Sequence, residues 1–101
     1  MKKNQITVII KEPNKPARIE PHFDNTLEAF QEAVGGYIET VTLASDLVIV
    51  CNEEGRLLGL DHNATVCGVP FVGTIIFAAY NREGDFISIK NPEELISFLS
   101  I

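Results

Sequence analysis

Positive charge is scarce in this sequence. Its 101 residues include 8 Lys and Arg against 14 Asp and Glu, a net charge of -6 with histidine neutral. The basic residues are scattered, and only Lys2 and Lys3 adjoin. Affinity for DNA or RNA phosphates comes from clustered Lys and Arg, so direct nucleic-acid binding is disfavoured. A net charge of this size is ordinary for keeping a small domain soluble. Read functionally, it is an acidic face for a basic partner, including a decoy for a DNA-binding protein.

Long apolar runs are absent as well. The most apolar window, residues 69–80, is interrupted by Pro70 and Gly73, whereas a spanning helix needs about 20 apolar residues. The short apolar stretch 6–10 ends in Lys11 and Glu12 and is too brief for a secretory signal. The expectation is a cytoplasmic protein with no membrane contact. Cysteine is limited to Cys51 and Cys67, which such a compartment keeps reduced.

Chemical motifs are missing too. Zinc sites show paired ligands two to four residues apart; here His62 and Cys67 are five apart, and His22 and Cys51 are remote. Cys67 with His62 is the one conceivable nucleophile and base, with Asp61 awkwardly adjacent as an orienting group. Glu53 and Glu54 adjoin at a turn tip in water, which lacks the burial that an acid/base pair needs. Gly35-Gly36 follows a helix and does not open one, the wrong polarity for a phosphate cradle. No metal, cofactor or catalytic residue is therefore assigned, and the sequence points to a protein that is not an enzyme.

What remains is a foldable chain. Apolar residues make up 46%, a globular proportion, and the length suits one domain over residues 1–101. Residues 6–10 are β-branched and read as a strand. After a turn bracketed by Pro13 and Pro16, residues 17–20 form a short second strand that Pro21 limits. Residues 25–34 read as a helix, with Asn25 as cap and Glu28 completing a capping box. Leu27, Phe30 and Val34 fall on one stripe, and Gly35 supplies a left-handed C-terminus.

Residues 37–43 form a further strand, broken at residues 44–46. Residues 47–51 lack polar alternation, as a strand covered on both faces does. Asn52-Glu53-Glu54-Gly55 and Asn81-Arg82-Glu83-Gly84 share hairpin turn chemistry. The first would return residues 56–58 as a strand, and the second would join 74–80 to 85–89. Both Gly55 and Gly84 are expected at positive φ. Residues 59–73 are the least regular stretch, expected as a plain connection with one turn of helix or as a functional loop. A last helix is capped by Asn91, with Pro92 first and Glu94 closing a capping box. Its apolar face is Leu95, Ile96 and Leu99, with Phe98 beside it, docking the end of the chain. The fold class is α+β: a mostly antiparallel sheet of about five or six strands with two helices.

Three strings occur in order: Val34-Gly35-Gly36-Tyr37-Ile38-Glu39, Cys51-Asn52-Glu53-Glu54-Gly55-Arg56, and Gly59-Leu60-Asp61-His62-Asn63. In that order and spacing the chain resembles the bacterial and phage family catalogued as domain of unknown function 3846, over roughly residues 5–80. Asp61 stands where the family's pattern carries proline. The resemblance implies a small bacterial protein tied to phages or mobile elements, with an accessory or interaction role and no established reaction.

The expected function is a non-enzymatic binding module with a protein partner. It would present Tyr37, Glu39, the turn residues Asn52, Glu53, Glu54 and Arg56, and the corner Asp61, His62 and Asn63. Thr40 and Thr42 would complete the polar face of the 37–43 strand. The two alternatives are the acidic decoy and a small enzyme or ligand-binding protein that uses the 59–73 loop. No oligomeric state follows from the sequence.

Overall fold

The structure is a computed structural model that describes residues 4–101; the Lys2–Lys3 pair lies outside the described residues. Three strands with near-continuous apolar runs lie at the middle of the sheet. They are β1 (Gln5–Lys11), β4 (Leu47–Asn52) and β7 (Ile75–Tyr80). Because side chains alternate across a strand, each run divides between two faces. Ile6, Val8, Ile10, Val48, Val50, Ile76 and Ala78 enter one core layer. Ile9, Ile49, Cys51, Ile75 and Phe77 enter the other.

The remaining strands complete the set. β2 (Arg18–Asp24) and β3 (Ile38–Ala44) are the outer strands of the main sheet, whose order is β2-β1-β7-β4-β3. β5 (His62–Val66) and β6 (Val69–Val72) form a separate two-stranded ribbon, and the short β8 (Phe86–Ile87) pairs with β7. Among the described residues, every pairing is antiparallel. The expected α+β architecture is what the chain adopts.

Each face has its own cover. Helix α1 (Leu27–Val34) covers the first, where Phe30 lies between Phe23 and Phe86 at ring-centroid distances of 4.8 Å each. Such tilted pairs add about 0.5–1.5 kcal/mol beyond area burial. The second face is covered by helix α2 (Pro92–Leu99) through Leu95, Ile96 and Leu99, and by Val66 and Phe71 of the β5–β6 ribbon. Ile101 packs there too. Leu27 and Phe98, placed on or beside apolar stripes by the sequence, are exposed. Among the described residues, no helix is long and apolar enough to cross a membrane.

Several expectations are corrected. β2 runs through Pro21. The register slips between Ile6↔Phe23 and Val8↔Glu20, so Pro21 and His22 share a bulge where the missing N–H costs no ladder bond. Thr26, not Asn25, caps α1: Ala29 N–H donates to Thr26 Oγ1 at 3.1 Å. The Asn25 amide is committed elsewhere, donating to the Phe86 carbonyl at 3.0 Å. Asn91 precedes α2 but makes no capping bond with its side chain.

The larger departures lie in residues 52–73. Residues 56–58 are not a returning strand. Leu58 N–H donates to Glu54 O at 2.9 Å and Leu60 N–H to Gly55 O at 3.0 Å, so the chain winds in consecutive turns. Both edges of β4 are already taken by β3 and β7, which leaves a returning strand nothing to pair with. Gly55 is not in the left-handed region, whereas Gly84 is, at φ 86°. The 59–73 segment is not an irregular loop but the β5–β6 hairpin. Cys67 (φ 51°) and Gly68 (φ 80°) make its two-residue turn, both left-handed as a type I′ turn demands.

Candidate functional site

Asn52 ends β4 at the point where three segments meet. Only 7% of it is exposed. Its Nδ2 donates to the Val34 carbonyl at the end of α1 (3.1 Å), and its Oδ1 accepts from Glu54 N–H (2.8 Å). Glu53 N–H donates to Tyr37 O at 2.9 Å, which extends the β3–β4 ladder by one rung. Gly36 is required beside it, because a Cβ there would come 2.9 Å from Asn52 Nδ2. Thus two of the three strings that carry the family resemblance interlock, with the asparagine of one sewing down the double glycine of the other.

The turns that follow carry side chains outward on both sides of this clasp. One cleft, about 240 Å³, is lined by Glu39, Cys51, Glu54, Arg56, Leu57 and Phe71 among others. A second, about 270 Å³, is lined by Gln31, Gly36, Tyr37, Asn52, Glu54 and Leu58. Asn52 and Glu54 line both and form the ridge between them. Arg56 Nη2 donates to the Pro70 carbonyl at 3.1 Å, tying the turns to β6. Leu57 is 85% exposed, Tyr37 70% and Leu58 59%.

The first cleft is acidic. Among the described residues, Glu39, Glu53 and Glu54 line it against one cation, Arg56. Cys51 forms part of its floor, with Sγ donating weakly to the Glu39 carbonyl at 3.7 Å. Burial pushes the Cys51 thiol pKa up, and the Glu39 carboxylate adds to the rise. Both effects disfavour the thiolate that nucleophilic or metal chemistry needs. Among the described residues, no three His, Cys, Asp or Glu side chains gather where they could hold a metal ion.

Of the residues singled out in the sequence, Tyr37, Glu39, Asn52, Glu53, Glu54 and Arg56 come together here. Asp61, His62 and Asn63 line neither cleft. Asn63 is a latch: its Nδ2 donates to the carbonyls of Lys11 (2.8 Å) and Gly73 (2.7 Å), and its Oδ1 accepts from Lys11 Nζ (3.0 Å). Asp61 contributes its carbonyl to Gly73 N–H at 2.8 Å, and His62 is exposed. His62 opens β5 while Cys67 turns its far end, about 16 Å along a strand rising about 3.3 Å per residue. A nucleophile and its base must lie about 3 Å apart, so the pair is not assembled.

Sequence reasoning did not find Leu57, Leu58 or the β6 wall. The leucines looked like strand residues, and only their lack of a pairing partner turns them into surface.

No curated protein and no solved structure matches the chain. The family model described as Domain of unknown function (DUF3846) matches residues 6–98, nearly its whole length. The clasp, the two clefts and the latch all fall inside that match, and the chain belongs to the DUF3846 family.

Proposed function

We propose that this chain is a non-enzymatic protein-interaction module, an accessory protein of phages or mobile elements that works in the cytoplasm. The phage setting rests on what the family resemblance of the sequence implies. The interaction role rests on one observation: Leu57 and Leu58 project from a turn region whose backbone is hydrogen-bonded, and Tyr37, exposed at the start of β3, shares a cleft with Leu58. Scattered exposed leucines are normal, but apolar and aromatic side chains gathered beside clefts mark interaction sites. These two clefts fall just below the roughly 300–1,000 Å³ usual for small-molecule sites, while concavities of about 350 and 490 Å³ lie elsewhere on the surface.

The test is a double substitution, Leu57→Ser with Leu58→Ser. Because neither side chain enters the core, thermal unfolding should stay within about 0.5 kcal/mol per surface change. The partner that the unaltered protein retains from its host, identified by mass spectrometry and confirmed with purified components, should no longer bind. Undiminished binding of that partner by the double variant would refute the assignment. The acidic decoy is a second reading, favoured by the three glutamates around one cleft; it requires that the protein inhibit a DNA-binding protein at excess.

A further inference from the structure

The main sheet has two outer strands, and they are unlike. β2 carries Arg18, Glu20, Pro21, His22 and Asp24 and is broken by the bulge at Pro21. Proline, charge and bulges are the usual means of blunting an edge against further pairing. β3, with the sequence Ile-Glu-Thr-Val-Thr-Leu-Ala, has no proline and one charge, and its register is unbroken from Ile38 to Thr42, with an irregularity between Thr42 and Ala44 beyond that stretch.

The register also fixes which backbone groups are free to pair. Tyr37 O accepts from Glu53 N–H, and in an antiparallel ladder the residues facing the partner alternate. Tyr37, Glu39 and Val41 therefore turn their backbone groups toward β4. The N–H and C=O groups of Ile38, Thr40 and Thr42 turn outward, away from the sheet.

A segment paired to that edge would lie about 4.8 Å from β3. Every second side chain would fall on the face that carries Glu39, beside the cleft whose charge is Glu39, Glu53 and Glu54 against Arg56. We infer that the β3 edge accepts an extended segment of a partner protein with Lys or Arg at alternate positions, the main chain pairing with Ile38, Thr40 and Thr42 and the cations entering the acidic cleft. The inference rests on the protein-interaction reading and names the partner's chemistry. Strand addition of this kind takes affinity from main-chain hydrogen bonds and specificity from alternate side chains. A second copy of the chain is a poorer occupant, since two β3 edges would bring their acidic clefts together.

The probe is a capped peptide of about eight residues, a strand's length, alternating lysine with valine; its control alternates glutamate with valine. Amide exchange of the full chain is followed by NMR. With the lysine peptide, exchange at Ile38, Thr40 and Thr42 should slow at least tenfold, and affinity should fall as salt rises. Glu39→Lys should weaken binding about tenfold, and Thr40→Pro should do the same by removing an outward N–H. If Thr40→Pro does not fold, Glu39→Lys and the exchange pattern decide. Equal binding of the glutamate peptide, or lysine-peptide binding that leaves these three amides unprotected, overturns the inference, as does the absence of binding. Protection that grows with protein concentration alone would show a second copy on the edge, and overturns it too. If the edge fails these tests while the Leu57→Ser, Leu58→Ser variant still loses its partner, the interaction reading survives without this inference.

Discussion

Asn52 and Gly36 are mutually constraining: the asparagine amide occupies the space where any side chain at position 36 would begin, 2.9 Å from the Cβ that residue would carry. The amide cannot simply swing aside, because it is held at both ends by Val34 O and Glu54 N–H. Asn52→Ala would leave a carbonyl and an N–H without these partners and should destabilise the fold by about 2–3 kcal/mol, from a cost of about 1–3 per orphaned group. Gly36→Ala should cost about 1–3 kcal/mol by overpacking. Because both act through one contact, the double variant should lose less than the sum of the two. Urea unfolding of the four proteins in the cycle measures this, and strict additivity would remove the proposed clasp.

The Lys11–Asn63 latch makes a second prediction. Lys11 is 8% exposed, and its ammonium is met by Asn63 Oδ1 at 3.0 Å and the Glu12 carbonyl at 2.9 Å. Asn63→Ala removes an acceptor from this sheltered charge and two donors from the carbonyls of Lys11 and Gly73. Breaking polar contacts of a buried charge costs about 3–5 kcal/mol at the upper end; with one carbonyl remaining, about 2–3 is expected. His62→Ala, one residue away but exposed, should be within about 0.5 kcal/mol of the parent. Equal effects of the two would mean that the corner acts as surface and not as a latch.

The difference between these neighbours shows what could be read from the chain alone. Central strands were legible, because Leu47 to Cys51 and Ile75 to Ala78 carry no polar alternation and must be covered twice. The α1 terminus was legible from Gly35, which takes φ 80°. The β5–β6 hairpin was hidden by one residue: Cys67 occupies a left-handed position where Asn or Asp would have announced the turn. The turns after Asn52 were misread because local chemistry suited a hairpin, while sheet order, a long-range property, had already filled both edges of β4. Tyr37, Glu39 and the 52–56 turn were recognisable as a group, but the leucines beside them gain meaning only from their failure to pack.

The two turn glycines, which the sequence made look alike, should respond differently to substitution. Gly84 has φ 86° and open space around its Cβ position, so its requirement is conformational. Gly84→Ala should cost about 1–2 kcal/mol, the left-handed penalty, and Gly84→Asn distinctly less, since asparagine tolerates that region. Gly55 has no such φ; its Cβ would meet Val72 Cγ2 at 2.9 Å. Gly55→Ala should therefore cost about 1–3 kcal/mol through crowding, and Gly55→Asn more than Gly55→Ala. Thermal unfolding of the four variants is the measurement, and the same rank order at both positions would contradict this account.

Cys51 should make stability fall at alkaline pH. In the fold its thiol pKa lies above the ordinary 9.0, chiefly through burial and then through Glu39. The unfolded chain therefore loses this proton at lower pH than the folded one. The neutral thiol's contribution to stability is complete below the unfolded value and is lost as pH rises through the folded value. Urea midpoints measured between pH 8 and about 11 should decline more steeply in the parent than in Cys51→Ala, which lacks the group; other titrating residues contribute equally to both. Alkylation gives a parallel readout at neutral pH. Cys67, exposed at its turn, should be modified in the native protein, and Cys51 only after unfolding. Identical pH profiles for the two proteins, together with rapid native labelling of Cys51, would show that the floor of the acidic cleft is open to solvent and its thiol available for chemistry.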